Sequence, residues 1–294
     1  MVSIILPTYN GEAYIAQSIE SILSQTYKKF ALIIVNDCST DHTLEIIQRY
    51  KEKDARIRVI NNIVNKKLPC SLNIGFSDAR GDYYTWTSDD NCYHPDAIEK
   101  MVEYLEHHVD VDLVCASFDK IGSNGEQLGH AEEIDGNFEE LYLGNKVGAC
   151  FLYKSIVHKK LSGYDENLFL VEDYDFWLRA YRYFKFGFIR DCLYDYRIHD
   201  SSLSNKRVND VLRKTYALLE RELELNVIPN ESRKKIYAKL IDYYYTQKYD
   251  SQFRDYMHRM KKVDNTMYRN LAKRYKLAMI IGIKRTEQLI DKRN

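Results

Sequence analysis

"VSIILPTYNG", residues 2–11, sets the reading of the whole chain. Residues 2–7 form a short, unbroken apolar run rather than an alternating one, the pattern of a strand covered on both faces in a parallel sheet. Pro7 ends the run, and the polar "PTYNG" falls where the carboxyl end of that strand would lie. A helix should follow, because Ile15, Ile19, Ile22 and Leu23 recur at the spacing of one buried helical face. The alternation then repeats. "FALIIV" (30–35) is a second strand, and "STDHTLEIIQRY" opens with a capping candidate at Ser39 or Thr40 before Leu44, Ile47 and Tyr50 set a helical period. "IRVI" (57–60) is a third strand, 67–80 a helix ended at Gly81, and "YYTWT" (83–87) a fourth strand. Pro95, followed by Ile98, Met101, Val102 and Leu105, marks another amphipathic helix. Strand–helix units in such a series predict an open α/β fold with a mostly parallel central sheet.

The chain has 294 residues, enough for a large core or a core plus an appendage. Lys plus Arg and Asp plus Glu are 43 each, so no global field draws it to nucleic acid or an acidic surface. The start has no basic flank or small-residue cleavage site and does not read as a secretory signal. No apolar stretch reaches the length of a membrane span. The six cysteines, at 38, 70, 92, 115, 150 and 192, contain no C-x-x-C pair, which argues against a zinc ribbon or a disulfide framework. A reducing cytoplasm is the expected location.

In open α/β sheets the ligand sits beyond the carboxyl ends of the strands. The first, second and fourth strands end in "PTYNG", "NDCSTD" and "SDDN", so three polar clusters should converge on one edge. Ser39, Thr40 and Asp41 could simply turn the chain and cap a helix. The adjacent carboxylates of Asp89 and Asp90 are harder to explain that way, since one oxygen suffices for a cap and the second carboxylate adds repulsion. A hard divalent cation, Mg²⁺ or Mn²⁺, resolves the repulsion and leaves coordination positions for water and substrate phosphate. Neither G-x-G-x-x-G nor G-x-x-x-x-G-K-[ST] is present, so phosphate must be held mainly by metal and side chains. "PTYNGEAY", with one glycine and no lysine or arginine, also lacks the glycine-rich basic loop expected of a sugar nucleotidyltransferase.

"VSIILPTYNGEAYIAQSIESILSQTY", "IIVNDCSTDHT", "NIGFSDARGDYYTWTSDDN" and "FLVEDYDFWLRA" together resemble the family 2 glycosyltransferases of the GT-A fold, in order and at matching separations, over about residues 1–205. The resemblance implies a GT-A domain over 1–205 and a helical C-terminal region over 206–294. It implies a nucleotide-diphospho-sugar lying over the strand ends and an acceptor hydroxyl attacking the anomeric carbon with inversion. Carried over, Pro7, Thr8, Tyr9 and Glu12 border the nucleotide, Asp37 binds base or ribose, Lys67 stands near the base or diphosphate, and Asp90 is the principal metal ligand. The usual D-x-D is altered, because Ser88 replaces the first aspartate; Asp89 then approaches the ribose or sugar while Asp90 holds Mn²⁺ or Mg²⁺.

Further along, "KVGACFLYKSIVHKKLSGYDENLF" reads as strand, short helix and loop, and the resemblance gives Gly148 and Ala149 the role of leaving room for the donor. Phe176, Trp177, Ala180, Tyr181 and Phe184 form an apolar helical face, which puts Glu172 and Asp173 at a helix start. Capping favoured by the helix dipole is the structural explanation for these acids. The resemblance instead makes Asp173 the catalytic base. "YDYRIHDSSLSN" resembles the family's Y-R-x-H-x-x-S ending, which implies that Arg197 meets phosphate and His199 the metal.

Helical periodicity returns at 207–225 and 231–260, with a break at Pro229 and Asn230. "IDYYYTQKYD" reads as a helix packed on the catalytic domain or on a twin subunit in a homodimer, with stacking on acceptor sugars as the alternative. Residues 251–294 hold 12 Lys plus Arg against 4 Asp plus Glu around "LAMIIGI" (277–283). That pattern fits peripheral contact with the inner face of a membrane, or a basic helix packed on its own domain. The expected donor is a UDP-sugar, with GDP- and TDP-sugars as the open alternatives, and the expected acceptor a glycan or lipid-linked hydroxyl, in surface polysaccharide synthesis. A nucleotide-sugar-binding partner protein without turnover is the competing reading, suggested by Ser88 and opposed by the presence of both Asp90 and "ED".

Overall fold

The computed structural model describes residues 1–131, 137–225 and 227–281. It divides into two compact units, one of 1–141 with 145–214 and one of 142–144 with 215–294. The first unit is built on β1 (Val2–Thr8), α1 (Ile15–Leu23), β2 (Phe30–Asn36), α2 (Thr43–Lys51), β3 (Ile57–Asn61), α3 (Leu68–Ser77), β4 (Tyr83–Trp86), β5 (Cys92–Tyr93) and α4 (Ala97–His107). It continues through β6 (Leu113–Ile121), β7 (Gln127–His130), β8 (Phe151–Lys154), α5 (Ser155–Leu161), α6 (Glu172–Tyr181), β9 (Phe186–Arg197) and α7 (Leu203–Lys206). It ends inside α8 (Val208–Glu224).

Every residue of β1 is buried, as an unbroken apolar run requires, and Ile4, Ile5, Leu6, Ile15, Ile19, Leu32 and Ile34 are inaccessible to solvent. Burying each such side chain contributes roughly 1.5–3 kcal/mol. The strand order is β3-β2-β1-β4-β8-β6-β9-β5, with β7 beside β6. β1 to β4 pair in parallel; β8 then runs antiparallel to both β4 and β6. The chain walks outward from β1 to β2 and β3, then crosses back to place β4 on β1's other side. That reversal opens a crevice at the carboxyl ends of β1 and β4, where Thr8 and the residues after Trp86 emerge.

Local differences from the sequence expectations have visible causes. α2 starts at Thr43, not after Ser39 or Thr40, because Asp41 supplies the acceptor: its Oδ1 takes the Thr43 N–H at 3.0 Å. Ser39 and Thr40 tie two loops together instead, through the Asn10 N–H to Ser39 Oγ (3.0 Å) and the Thr40 N–H to Asn10 Oδ1 (2.8 Å). α3 stops at Ser77, short of Gly81.

The second unit holds the rest of α8 and α9 (Asn230–Thr246), α10 (Asp250–Val263), α11 (Asn265–Arg274) and α12 (Lys276–Ile281). The single helix expected over 231–260 is broken at Lys248, whose φ of +63° is left-handed. The tyrosines pack inside this unit. The Tyr244 and Tyr256 hydroxyls both donate to Glu220 Oε1, at 2.6 and 2.7 Å, and Tyr243 stacks on Tyr216 with ring centroids 4.1 Å apart. Among the described residues no helix is long and apolar enough to cross a membrane. "LAMIIGI" extends past Ile281, so part of it and the basic residues beyond lie outside the described residues.

Candidate functional site

Thr8 at the end of β1 is 4% exposed and donates its hydroxyl to Asp89 Oδ2. Gly11 makes this closeness possible: a Cβ there would lie 2.2 Å from Asp89 Oδ2 and 2.7 Å from Thr8 Oγ1. Pro7 is buried in the strand, whereas Tyr9 is 51% exposed at the crevice edge. Glu12 turns to the next loop, where its Oε2 accepts the His42 N–H at 2.9 Å.

Asp37, beyond β2, aligns with Thr8 through its own N–H donated to the Thr8 carbonyl at 2.8 Å. Its carboxylate accepts from Asn62 Nδ2, the Lys66 N–H and the Lys67 N–H, each at 2.8 Å. It therefore holds the β3–α3 loop, and little of its acceptor capacity is left for a ligand. Lys67, at a φ of +69° before α3, puts its ammonium 5.5 Å over the ring of Phe169.

Beyond β4 the two aspartates diverge. Burial, and then the charge of Asp90, push the Asp89 carboxyl up to about 7. Asp90 Oδ2 and His199 Nε2 lie 3.0 Å apart, and His199 is oriented by Ser201 Oγ, 2.6 Å from its Nδ1, and by the Tyr14 ring, 5.0 Å away. The other oxygen, Asp90 Oδ1, is buried with no hydrogen-bond partner. A buried carboxylate oxygen left unmatched is costly, and a divalent cation is a natural complement. Asp90 and His199 offer an oxygen and an imidazole nitrogen, a donor set that suits Mn²⁺ or Mg²⁺ with water completing the shell.

Arg197 departs from the expected contact with phosphate. It is 4% exposed, and its guanidinium donates to the carbonyls of Asp90 (2.8 Å), Gly122 (3.1 Å) and Ser123 (3.2 Å) and to Gln17 Oε1 (2.9 Å). It also stacks 4.6 Å over Tyr14, and its N–H donates to Asn91 Oδ1 at 2.7 Å. It is a strut that fixes the backbone of Asp90. Gly148, with a φ of +72°, packs closely on the ring of Phe118, which a Cβ would meet at 2.6 Å.

At the start of α6, Asp173 Oδ2 accepts from Asn145 Nδ2 and Oδ1 from the Tyr174 N–H, both at 2.7 Å. Glu172 is 3% exposed and turns back to accept the Leu170 N–H at 2.7 Å. Burial raises both carboxyls, and burial together with the Asp173 charge pushes Glu172 up to about 8. Burial raises the Tyr196 phenol, and the charges of both Asp90 and Asp173 raise it further against a hydrogen bond with Ser204. Tyr196 was legible as the first residue of the Y-R-x-H stretch; Asn145, Tyr14 and Gln17 carry no sequence signal for their roles.

The sequence profile described as Glycosyl transferase family 2 matches residues 3–169. An uncharacterized glycosyltransferase of Methanocaldococcus jannaschii is 37% identical over 206 residues, covering 67% of this chain and 71% of that one. The putative glycosyltransferase EpsE of Bacillus subtilis is 34% identical, covering 70% of this chain and 76% of EpsE. Among solved structures, S. aureus TarS matches with a TM-score of 0.67 at 19% identity, over 93% of this chain and 55% of that chain. The mannosyltransferase PcManGT of Pyrobaculum calidifontis, solved with GDP-Man and Mn²⁺, matches with a TM-score of 0.62 at 16% identity, over 96% and 81%. At those identities the structures speak for the GT-A fold, and the profile and the relatives for the family. The chain belongs to glycosyltransferase family 2.

Proposed function

We propose that this chain is a metal-dependent inverting glycosyltransferase that moves a sugar from a UDP-sugar to a hydroxyl of a glycan or lipid-linked acceptor. The reading rests chiefly on one observation: Asp90 presents an unmatched buried oxygen beside His199. Asp90 and His199 hold the cation, which when bound supplies Lewis-acid stabilisation of the departing diphosphate. Asp173 takes the proton of the attacking acceptor hydroxyl, with Asn145 steadying the carboxylate. Thr8 and Asp89 shape the donor side; Tyr9 and Lys67 border the nucleotide, and Asp37 and Glu12 hold the loops that frame it.

TarS has been solved with UDP and with UDP-GlcNAc, and PcManGT with GDP-Man, which supports a nucleotide-sugar donor and leaves the hexosyl or N-acetylhexosaminyl choice to experiment. The acceptor belongs to surface polysaccharide synthesis on the cytoplasmic side, with the basic C-terminus in peripheral contact with the membrane. Incubation with a panel of UDP-, GDP- and TDP-sugars and Mn²⁺, following nucleotide release, tests the reading. Release from a UDP-sugar alone supports it; release from a GDP-sugar alone replaces the donor. Binding of a nucleotide-sugar without any release would favour a non-catalytic partner protein.

A further inference from the structure

A second cluster of ligating side chains shares no residue with the Asp90 and Asp173 regions. Asp119 on β6 pairs with His130 on β7 and with Asp195 on β9, so the three side chains share one face of the sheet. Cys192 pairs with Ser117, two residues before Asp119, and joins them. In a regular strand Cys192 and Asp195 would face opposite ways. The register shift between Ser117 and Asp119 places both on the same side. One ligand atom each from Asp119, His130 and Cys192 lie within 4.8 Å of one another. His130 Nδ1 bonds Asp119 Oδ1 and lies 3.8 Å from Cys192 Sγ. Asp119 also forms a group with His94 and Asp195, in which His94 Nε2 and Asp195 Oδ1 are 3.1 Å apart.

We propose that Asp119, His130 and Cys192 bind Zn²⁺ as a clasp joining the β6–β7 hairpin to β9. One oxygen, one nitrogen and one sulfur ligand, with water in the fourth position, suit four-coordinate zinc, and the thiolate disfavours the hard cations that suit Asp90. Binding sends the Cys192 thiol proton to solvent. His94, 3.1 Å from Asp195 Oδ1 and in the same 4.8 Å group as Asp119, stands behind it as an outer partner. The clasp steadies the strand that continues from Asp195 to Arg197 and on to His199. It is a site for a second metal, chemically distinct from the first.

The test uses the full chain stripped with a chelator and titrated with Co²⁺, then with Zn²⁺. A thiolate–cobalt charge-transfer band in the near ultraviolet reports this site alone, since Asp90 and His199 offer no sulfur. We expect the band to saturate at one equivalent, to be displaced by Zn²⁺, to persist in Asp90→Ala and Cys92→Ser, and to vanish in Cys192→Ser. His94→Ala should keep the band with affinity reduced about 10- to 100-fold. No band in the wild-type chain, or a band that survives Cys192→Ser, overturns the proposal. Should Cys192→Ser fail to fold, His130→Ala decides the matter: lost affinity supports the clasp and unchanged affinity refutes it.

Discussion

Asp90 and Asp173 are the same side chain in two surroundings, and the difference separates their chemistry. Asp90 has one oxygen on an imidazole and one buried with no hydrogen-bond partner, so it suits a cation. Asp173 has both oxygens hydrogen-bonded, to an exposed asparagine and to the first turn of α6, and burial raises its pKa, so it suits a proton. Two carboxylates with environments this different can serve the leaving group and the nucleophile of one reaction.

The comparison breaks most visibly at the metal. If Asp90 holds the cation, Asp90→Ala should abolish the Mn²⁺-dependent thermal shift caused by UDP and cut nucleotide release by roughly 10³-fold or more, the equivalent of several kcal/mol. A Mn²⁺-dependent shift of wild-type size in that variant would end the assignment. Asp173→Asn should lower transfer about 10²- to 10⁴-fold, the usual contribution of a positioned base, while the Mn²⁺-dependent shift stays intact. Near-normal transfer by Asp173→Asn, combined with an inactive Glu172→Gln, would move the base to Glu172.

Two smaller effects sharpen the contrast through pH. If Asp173 is the base, transfer needs it ionised, and the acid limb of the rate profile should be displaced upward from that of a free carboxylate. The Asn145 hydrogen bond lowers that pKa; Asn145→Ala should therefore move the limb to higher pH and leave the plateau rate nearly unchanged. A limb that stays in place would show that Asn145 does not tune the base. Glu172 reports on stability. Its folded pKa is raised, so its contribution is full below the unfolded value and is lost as pH rises through about 8. Relative to Glu172→Gln, the wild-type chain should lose thermal stability between about pH 4.5 and about pH 8, measured by unfolding both proteins across that range. Parallel pH curves for the two would exclude a buried, protonated Glu172.

Much of the site was legible because strand ends are local features. The apolar runs end at Thr8, Asn36 and Trp86, and the polar residues after them had to gather at one edge once the strands paired in parallel. Arg197 departs from its expected contact because a motif names a residue and not the direction of its side chain; its acceptors on Gly122, Ser123 and Gln17 come from segments distant in sequence. The approach of Phe118 of β6 to Gly148 likewise has no local sequence signal. α2 begins beyond the expected capping positions: Asp41 accepts the Thr43 N–H while Ser39 and Thr40 bond Asn10, and only the loop geometry chooses among these competing acceptors.

The order of strands and helices, the buried runs, the family and the acidic pairs follow from the sequence itself, since periodicity and turn chemistry act over a few residues. Tertiary structure alone settles which oxygen of Asp90 stays unmatched, which way Arg197 points, what surrounds the tyrosines and which ligating atoms meet at Asp119. Those contacts join residues up to 180 positions apart, and they depend on strand register and crossover path, which no local pattern encodes.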